Sequence, residues 1–161
     1  MTERRAGVVT VSNSAAAGAT DDRSGTILAE GLADLGFDVV ERSVIPDGVE
    51  SVETTLRDLA SRCDLIVTTG GTGLSPTDLT PEGTLRVVDR LVPGVSEALR
   101  ADTFGKVPFG MLSRGVSGLA GACLVINLPG SPKAVSEGLE VIAGVLEHAI
   151  DLATGEFGRH D

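Results

Sequence analysis

Short runs of β-branched residues alternate along the chain with amphipathic segments, and glycine or proline stands between them. Three of these runs predict strands: 6–12, 38–45 and 65–69. The second run is more polar than the others, which favours a place nearer the sheet edge. Residues 111–128 predict another pair of strands that turn near 120–121, the second of them at 123–128.

Apolar side chains recur every three or four residues in the segments between these strands, which predicts helices. The first helix is expected to run from a cap at Asp21 or Asp22 to about Leu35, where Gly36 stops it. A later helix is expected to begin at Thr80 as its N-cap. Further helices are predicted near 49–59, at 95–101 and, as one continuous helix, at 133–152, while 104–109 is expected to be irregular.

The alternation of strands and helices favours right-handed crossovers and therefore an α/β fold with a mostly parallel sheet. Sheets of this kind bind ligands at the carboxyl ends of their strands, where the strand order reverses. The loops after Ser12, Thr69 and Leu128 and the turn at 46–48 are therefore expected on the same edge.

Composition and charge narrow the range of possible functions. The 161 residues, 42% of them hydrophobic, are expected to form one domain over 1–161, with its core at about 6–153 and a frayed tail at 155–161. The net charge of −10 disfavours nucleic-acid binding, and no apolar segment reaches the roughly 20 residues of a membrane span. Cys63 and Cys123 form no CxxC pair, which favours a reduced, cytoplasmic chain.

The strongest local signal is the segment Thr69-Gly70-Gly71-Thr72-Gly73, directly after a predicted strand. Glycines let a backbone approach an anion closely and turn several N–H groups towards it, so phosphate binding is one interpretation and a tight structural turn is the other. No GK[ST] follows, which excludes a Walker A loop. Pro76 occupies the place of the third glycine of a dinucleotide fingerprint.

Two carboxylates, those of Asp47 and Asp78, lie in loops on the expected binding edge. Each could hold Mg²⁺ against phosphate oxygens, or could simply accept backbone hydrogen bonds. A cation between the two would offset their repulsion. The loop at 127–133 could bind an anion at a helix start near Lys133, or could be a rigid loop with a serine cap. Arg114 is either a phosphate donor or a surface residue.

In this order and at these spacings, the segments resemble the Mog/MoaB family of molybdenum-cofactor biosynthesis. The matching segments are 22–25, 45–47, 69–73, 75–78, 80–82, 112–114 and 127–132, and the likeness covers about 6–153. The resemblance implies a three-layer α/β/α sandwich of the MogA-like, molybdopterin-binding type that is usually a homotrimer. It also implies a molybdopterin adenylyltransferase that transfers AMP from Mg-ATP to molybdopterin, with possible hand-over of the product to a molybdenum-insertion enzyme.

The resemblance also assigns roles to residues. Asp47 and Asp78 would be the catalytic and Mg²⁺-binding acids. The substrate- and nucleotide-binding residues would be Gly70, Gly71, Thr72, Gly73, Ser75, Ser113, Asn127, Pro129, Gly130 and Ser131. The chain departs from the family at 12–14, where Ser-Asn-Ser replaces a Ser-Asp-Arg-like triplet, and at Gly48, where some members have a second acid.

Two other functions are compatible with the same motifs. A non-catalytic carrier or scaffold could bind molybdopterin without transferring AMP, and a nucleotide hydrolase of the competence-damage type could share the fold. The presence of both Asp47 and Asp78 favours the transferase over a carrier, which needs no carboxylates to organise a metal. The short chain, which has no second domain, counts against the hydrolase.

Overall fold

In the computed structural model, which describes residues 3–156, six strands form one sheet. The strands are β1 (Arg5–Val11), β2 (Asp38–Ile45), β3 (Leu65–Thr69), β4 (Arg90–Leu91), β5 (Ser117–Ala120) and β6 (Cys123–Leu128). Their order is β2-β1-β3-β6-β5-β4. The first four in this order are parallel, and β5 and β4 continue the sheet in antiparallel pairing. The mostly parallel sheet and the edge position of β2 are confirmed.

Helices cover both faces of this sheet. They are α1 (Asn13–Ala16), α2 (Arg23–Asp34), α3 (Val49–Ala60), α4 (Thr80–Leu85), α5 (Pro93–Phe104), α6 (Pro132–Ile142) and α7 (Leu146–Thr154), with a 3₁₀ helix at Pro108–Leu112. Apolar side chains of α2, α6 and α7 share one core cluster with the sheet, and those of α3 share a second cluster with the opposite face. The predicted three-layer α/β/α architecture is therefore confirmed.

The two clusters follow from the two-residue period of the strands. On β1, Val8 packs into the first cluster, whereas Val9 and Val11 point into the second. Both cysteines are buried among the apolar residues of the second cluster. Burial raises the pKa of the Cys63 thiol and raises that of Cys123 to about 12, so both thiols stay protonated.

Local capping chemistry sets the ends of α2 as expected. The Asp22 side chain accepts a hydrogen bond of 3.0 Å from the Gly25 N–H at the start of the helix. At its end, Gly36 adopts a φ of +95° and Phe37 N–H donates to the Leu32 carbonyl. The aspartate cap and the glycine stop in the sequence therefore predicted both ends of this helix correctly.

Three predicted elements differ from the structure. The continuous helix expected at 133–152 is instead two helices, α6 and α7, and Gly144 lies in the break between them. The N-cap of α4 is Leu79, because Thr80 uses its hydroxyl to bond the Gly70 carbonyl. The first strand of the pair predicted within 111–128 begins only at Ser117, and residues 111–112 belong to the 3₁₀ helix instead. Strand β4 was not predicted, because two residues are too few to show a hydrophobic period.

The end of α7 is held by Arg4, the residue just before the first strand. Gly155 caps the helix in the left-handed conformation, and Arg4 bonds the carboxylates of Asp151 and Glu156. The expected frayed tail therefore does not begin at 155, and the rest of that prediction, 157–161, lies outside the described residues. Among residues 3–156 there is no helix with both the length and the apolar character needed to cross a membrane.

Candidate functional site

Four loops meet at the carboxyl edge of the parallel strands, on either side of the point where the strand order reverses between β1 and β3. They enclose a polar cavity of about 490 Å³, which we call the acidic pocket. Its walls include Asp47 from the loop after β2, Gly70, Gly71 and Asp78 from the loop after β3, and Gly130 from the loop after β6. Residues distant in sequence thus share one cavity.

The glycine bend at the end of β3 is both a tight turn and a wall of the acidic pocket. Gly70 has a φ of +100°, and a Cβ there would lie 2.3 Å from the Val11 carbonyl oxygen. Gly71 has a φ of +69°, and its Cβ would lie 2.2 Å from Oγ1 of Thr80 and 3.3 Å from Oδ1 of Asp47. Only glycine permits this close passage of the backbone beside the Asp47 carboxylate.

Asp47 is held by a residue that sequence analysis did not select. The Asn13 N–H donates to Oδ2 of Asp47 over 3.1 Å, and the Asp47 N–H donates to Oδ1 of Asn13 over 2.9 Å. Asn13 is the middle residue of the Ser-Asn-Ser triplet at 12–14. These residues are 34 positions apart, so no local pattern could have revealed their pairing.

The Asp78 carboxylate accepts a backbone hydrogen bond, which is one of its two alternative roles. Its Oδ2 accepts a hydrogen bond of 3.0 Å from the Ser75 N–H, and its own N–H donates to the Ser75 carbonyl. The carboxylate retains further acceptor sites towards the acidic pocket that it lines. Ser75 is exposed and lines neither this pocket nor the cavity described next, so it acts here through its backbone, as a support for Asp78.

The remaining predicted residues line a second cavity of about 440 Å³, which we call the apolar cleft. Those on its wall are Thr72, Gly73, Ser113, Asn127, Pro129 and Ser131. The glycine bend and the loop at 129–131 separate it from the acidic pocket. Apart from Ser75, the predicted set of residues is therefore divided between two neighbouring cavities.

The Asn127 side chain is used inside the fold. It is 2% exposed, donates to the hydroxyls of Thr68 and Thr84, and accepts from the Val116 N–H. It therefore braces β6 against its neighbours at the base of the apolar cleft. Ser131 likewise caps α6 by accepting from the Ala134 N–H over 3.1 Å.

Sequence analysis missed the outer wall of the apolar cleft. This wall includes Leu99 and Arg100 of α5 and Val107, Phe109 and Leu112 of the segment that follows. Nη1 of Arg100 donates to the Gly115 carbonyl over 2.7 Å, which ties the helix to the base of the cleft. Residues 104–109 show no period in the sequence, and only their packing identifies them as a wall.

Most charged residues that line the acidic pocket are acidic: Asp21 and Asp22 accompany Asp47 and Asp78, and Arg23 is also on the wall. Asp22 is occupied by hydrogen bonds from Thr10, Gly25 N–H and Arg42. Across the described part of the chain, no group of three or more His, Cys, Asp or Glu side chains is arranged to hold a metal. Two carboxylates nevertheless suit Mg²⁺, since this ion commonly binds one or two carboxylates and completes its shell with water and substrate phosphates.

Arg114 is partly buried and lies on the wall of neither cavity. Its guanidinium pairs with the Glu82 carboxylate at the start of α4. This hydrogen bond holds the pKa of Glu82 below its ordinary value.

The lowered pKa of Glu82 predicts a pH-dependent contribution to stability. The ionised Glu82 carboxylate is expected to contribute its full stabilisation of the fold above the ordinary glutamate pKa of about 4.3. This stabilisation is lost as the pH falls through the lowered pKa of Glu82 in the folded protein. Glu82→Gln stays neutral at every pH. The stability difference between wild type and this variant, from urea midpoints, should therefore be largest near pH 7 and shrink towards pH 3. An equal difference at both pH values would contradict this assignment.

Comparison with known proteins shows the family to which the chain belongs. A family described as a probable molybdopterin binding domain matches residues 7–148. The chain belongs to this family. The resemblance noted in the sequence is thus confirmed over nearly the whole described chain.

Members of this molybdopterin binding family with curated names match the chain closely. The molybdopterin adenylyltransferase of Helicobacter pylori (strain J99) is 35% identical over 155 residues, which cover 94% of this chain and 88% of the relative. That of Haemophilus influenzae is 41% identical over 138 residues, which cover 83% and 70%. The solved structure of the molybdopterin biosynthesis Mog protein from Mycobacterium ulcerans matches with a TM-score of 0.90 at 46% identity, covering 96% and 99% of the two chains. The expected Mog-type fold is confirmed.

Proposed function

We propose that this protein is a molybdopterin adenylyltransferase, which transfers AMP from Mg-ATP to molybdopterin and releases pyrophosphate. Its relatives of that name and its family membership support the proposal. The observation that carries it is that Asp47 and Asp78 line one pocket with the glycine bend. A carrier would gain nothing from two converging carboxylates, whose repulsion a metal-bound phosphate would relieve.

In the proposed reaction, a phosphate oxygen of molybdopterin attacks the α-phosphorus of ATP. The bond from this phosphorus to the bridging oxygen breaks, and pyrophosphate leaves with the electron pair. Asp47 and Asp78 would hold the Mg²⁺ that enters with ATP, and this ion would neutralise phosphate charge. The chain itself supplies alignment: Asn13 and the Ser75 backbone fix the two acids, and the positive φ of Gly70 and Gly71 lets the backbone of the glycine bend form a wall of the pocket.

The two cavities suit different parts of the substrates. The acidic pocket, with Gly70, Gly71 and Gly130, is suited to the metal-bound phosphates. The apolar cleft, with Thr72, Gly73, Ser113, Pro129 and Ser131 on its wall, has the volume and the apolar character for a planar ring. Asn127 and Ser75 contribute as braces for these walls.

The decisive experiment incubates the purified protein with Mg-ATP and molybdopterin and measures pyrophosphate together with adenylated pterin. Stoichiometric formation of both, abolished by EDTA, is expected. Tight binding of molybdopterin without pyrophosphate would instead identify a non-catalytic carrier. Release of phosphate or pyrophosphate from ATP without molybdopterin would identify a nucleotide hydrolase.

The active form is proposed to be a cytoplasmic homotrimer. Large apolar side chains are exposed beside the apolar cleft, among them Phe104, Met111 and Phe109, the last with 73% of its surface accessible. Such a patch on a small domain is commonly covered by another subunit. Sedimentation at the mass of three chains is expected, and a monomer at micromolar concentration would contradict it.

The adenylated pterin is an activated product, which suits hand-over to a molybdenum-insertion enzyme.

A further inference from the structure

Arg114 contacts three separate points of the loop that carries Asp78. Its Nε donates to the Gly73 carbonyl over 2.9 Å, and its Nη2 donates to the Asp78 carbonyl over 2.6 Å. Its Nη1 bonds the Glu82 carboxylate, where the loop enters α4. We propose that Arg114 is a positioning residue for AMP transfer, which fixes the carboxylate of Asp78 in the acidic pocket. The inference rests on the proposed function.

The backbone of the same segment strengthens this connection. The Arg114 N–H donates to the Thr72 carbonyl over 2.8 Å, so residue 114 lies alongside the end of the glycine bend. Its neighbours Ser113 and Gly115 line the apolar cleft. Arg114 thus attaches the Asp78 loop to the wall of the neighbouring cavity.

Little else holds the outer part of this loop. Residues 74–77 are exposed, and the contacts between Ser75 and Asp78 are internal to the loop. Thr80 fixes the far end by bonding Gly70. Between these points, Arg114 supplies the hydrogen bonds that connect the loop to the rest of the protein at Gly73 and Asp78.

The guanidinium is suited to this role by its shape. Its planar fork directs donors from three nitrogens in fixed directions, and each nitrogen here has its own acceptor. A lysine ammonium at the same place would keep the charge but could not span three acceptors at once. Each of the three nitrogens donates to the Asp78 loop or to the start of α4, and Arg114 lines neither cavity, so its contacts are with the loop itself.

The test compares Arg114→Lys with a matched control, Arg86→Lys. Arg86 is exposed directly after α4, pairs with Glu53 and lines neither cavity. Arg114→Lys is expected to lower kcat for AMP transfer by about 10- to 100-fold with little change in the KM for molybdopterin, since positioning acts on the transition state. Arg86→Lys should match wild type. A kcat within twofold of wild type for Arg114→Lys would overturn the proposal.

A double-variant cycle separates positioning from general destabilisation. If Arg114 acts through the Asp78 carboxylate, adding Arg114→Lys to Asp78→Asn should change the residual rate by less than about twofold, because residues that act as a unit are not additive. A full additional loss in the double variant would show that Arg114 acts elsewhere, and would overturn the proposal.

Amide hydrogen exchange gives a readout that does not depend on the reaction. Exchange at the Ser75 and Asp78 amides is expected to rise at least tenfold in Arg114→Lys and to stay unchanged in Arg86→Lys, and a cooperative melting transition in both variants would confirm that they are folded. Unchanged exchange in Arg114→Lys would overturn the positioning role. If wild type forms no adenylated pterin, the proposed function fails, while the exchange result still decides whether Arg114 fixes the loop.

Discussion

Asp78→Asn is expected to lower kcat for AMP transfer by about 10³-fold while leaving the fold intact. The asparagine oxygen can still accept the hydrogen bond from the Ser75 N–H, so the shape of the loop is kept. Arg114 bonds the Asp78 backbone carbonyl, which the substitution does not touch. What disappears is the negative charge in the acidic pocket, and with it one of the two proposed ligands of the ATP-bound Mg²⁺.

The measurement is the rate of pyrophosphate release with Mg-ATP and molybdopterin, alongside the melting temperature. Asp58→Asn is a matched control, because it removes the same charge from an exposed side chain of α3 that pairs with Arg62. The control should retain full activity. If Asp78→Asn kept more than a tenth of the wild-type rate, the Asp78 carboxylate would not be essential for AMP transfer.

Gly70→Ala is expected to reduce the free energy of unfolding by about 2–4 kcal/mol and to abolish AMP transfer. An alanine at a φ of +100° is strained, and its Cβ would lie 2.3 Å from the carbonyl oxygen of Val11. This oxygen belongs to the backbone of a central strand and cannot rotate away as a side chain could. Relief of the contact must therefore move the glycine bend, which carries the wall of the acidic pocket.

Gly144→Ala provides the comparison for this variant. Gly144 lies between α6 and α7, a Cβ there would contact nothing within 4 Å, and its φ is not positive. Its substitution should be neutral or should stabilise the protein by up to about 1 kcal/mol. Urea unfolding of both variants checks the prediction, and similar midpoints for the two would show that the contact between Gly70 and Val11 is not rigid.

Many strands and helices of the fold depend on short stretches of the sequence and could therefore be predicted. Residues 65–69 form an uninterrupted run of strand-forming residues, and the structure places β3 at these positions with every residue buried. The break after Ile142 was missed because the apolar period continues across 143–145, and side chains on both sides of the break pack into the same core cluster. Thr80 was assigned as a cap because its type suits that role, but its hydroxyl is used by the glycine bend.

The candidate site shows the same division. Asp47 and Asp78 follow strands and could be selected from residue type and position, and their convergence follows from parallel strand order. Asn13 and Arg114 could not be assigned their roles, because their partners lie 34 and 36 positions away. The outer wall of the apolar cleft was missed for a related reason, since the segment that forms it has no periodic pattern of its own.

By itself, the sequence determined the α/β class, most strand and helix positions, the glycine bend and the two acids. These features depend on hydrophobic period and on steric preferences of glycine and proline, which act over a few residues. Only the tertiary structure decided that the predicted binding residues other than Ser75 divide between two cavities, that Asn13 holds Asp47 and that Arg114 contacts the Asp78 loop. The physical reason is that hydrogen bonds between distant segments require the crossovers of the sheet to bring their donors and acceptors within about 3 Å.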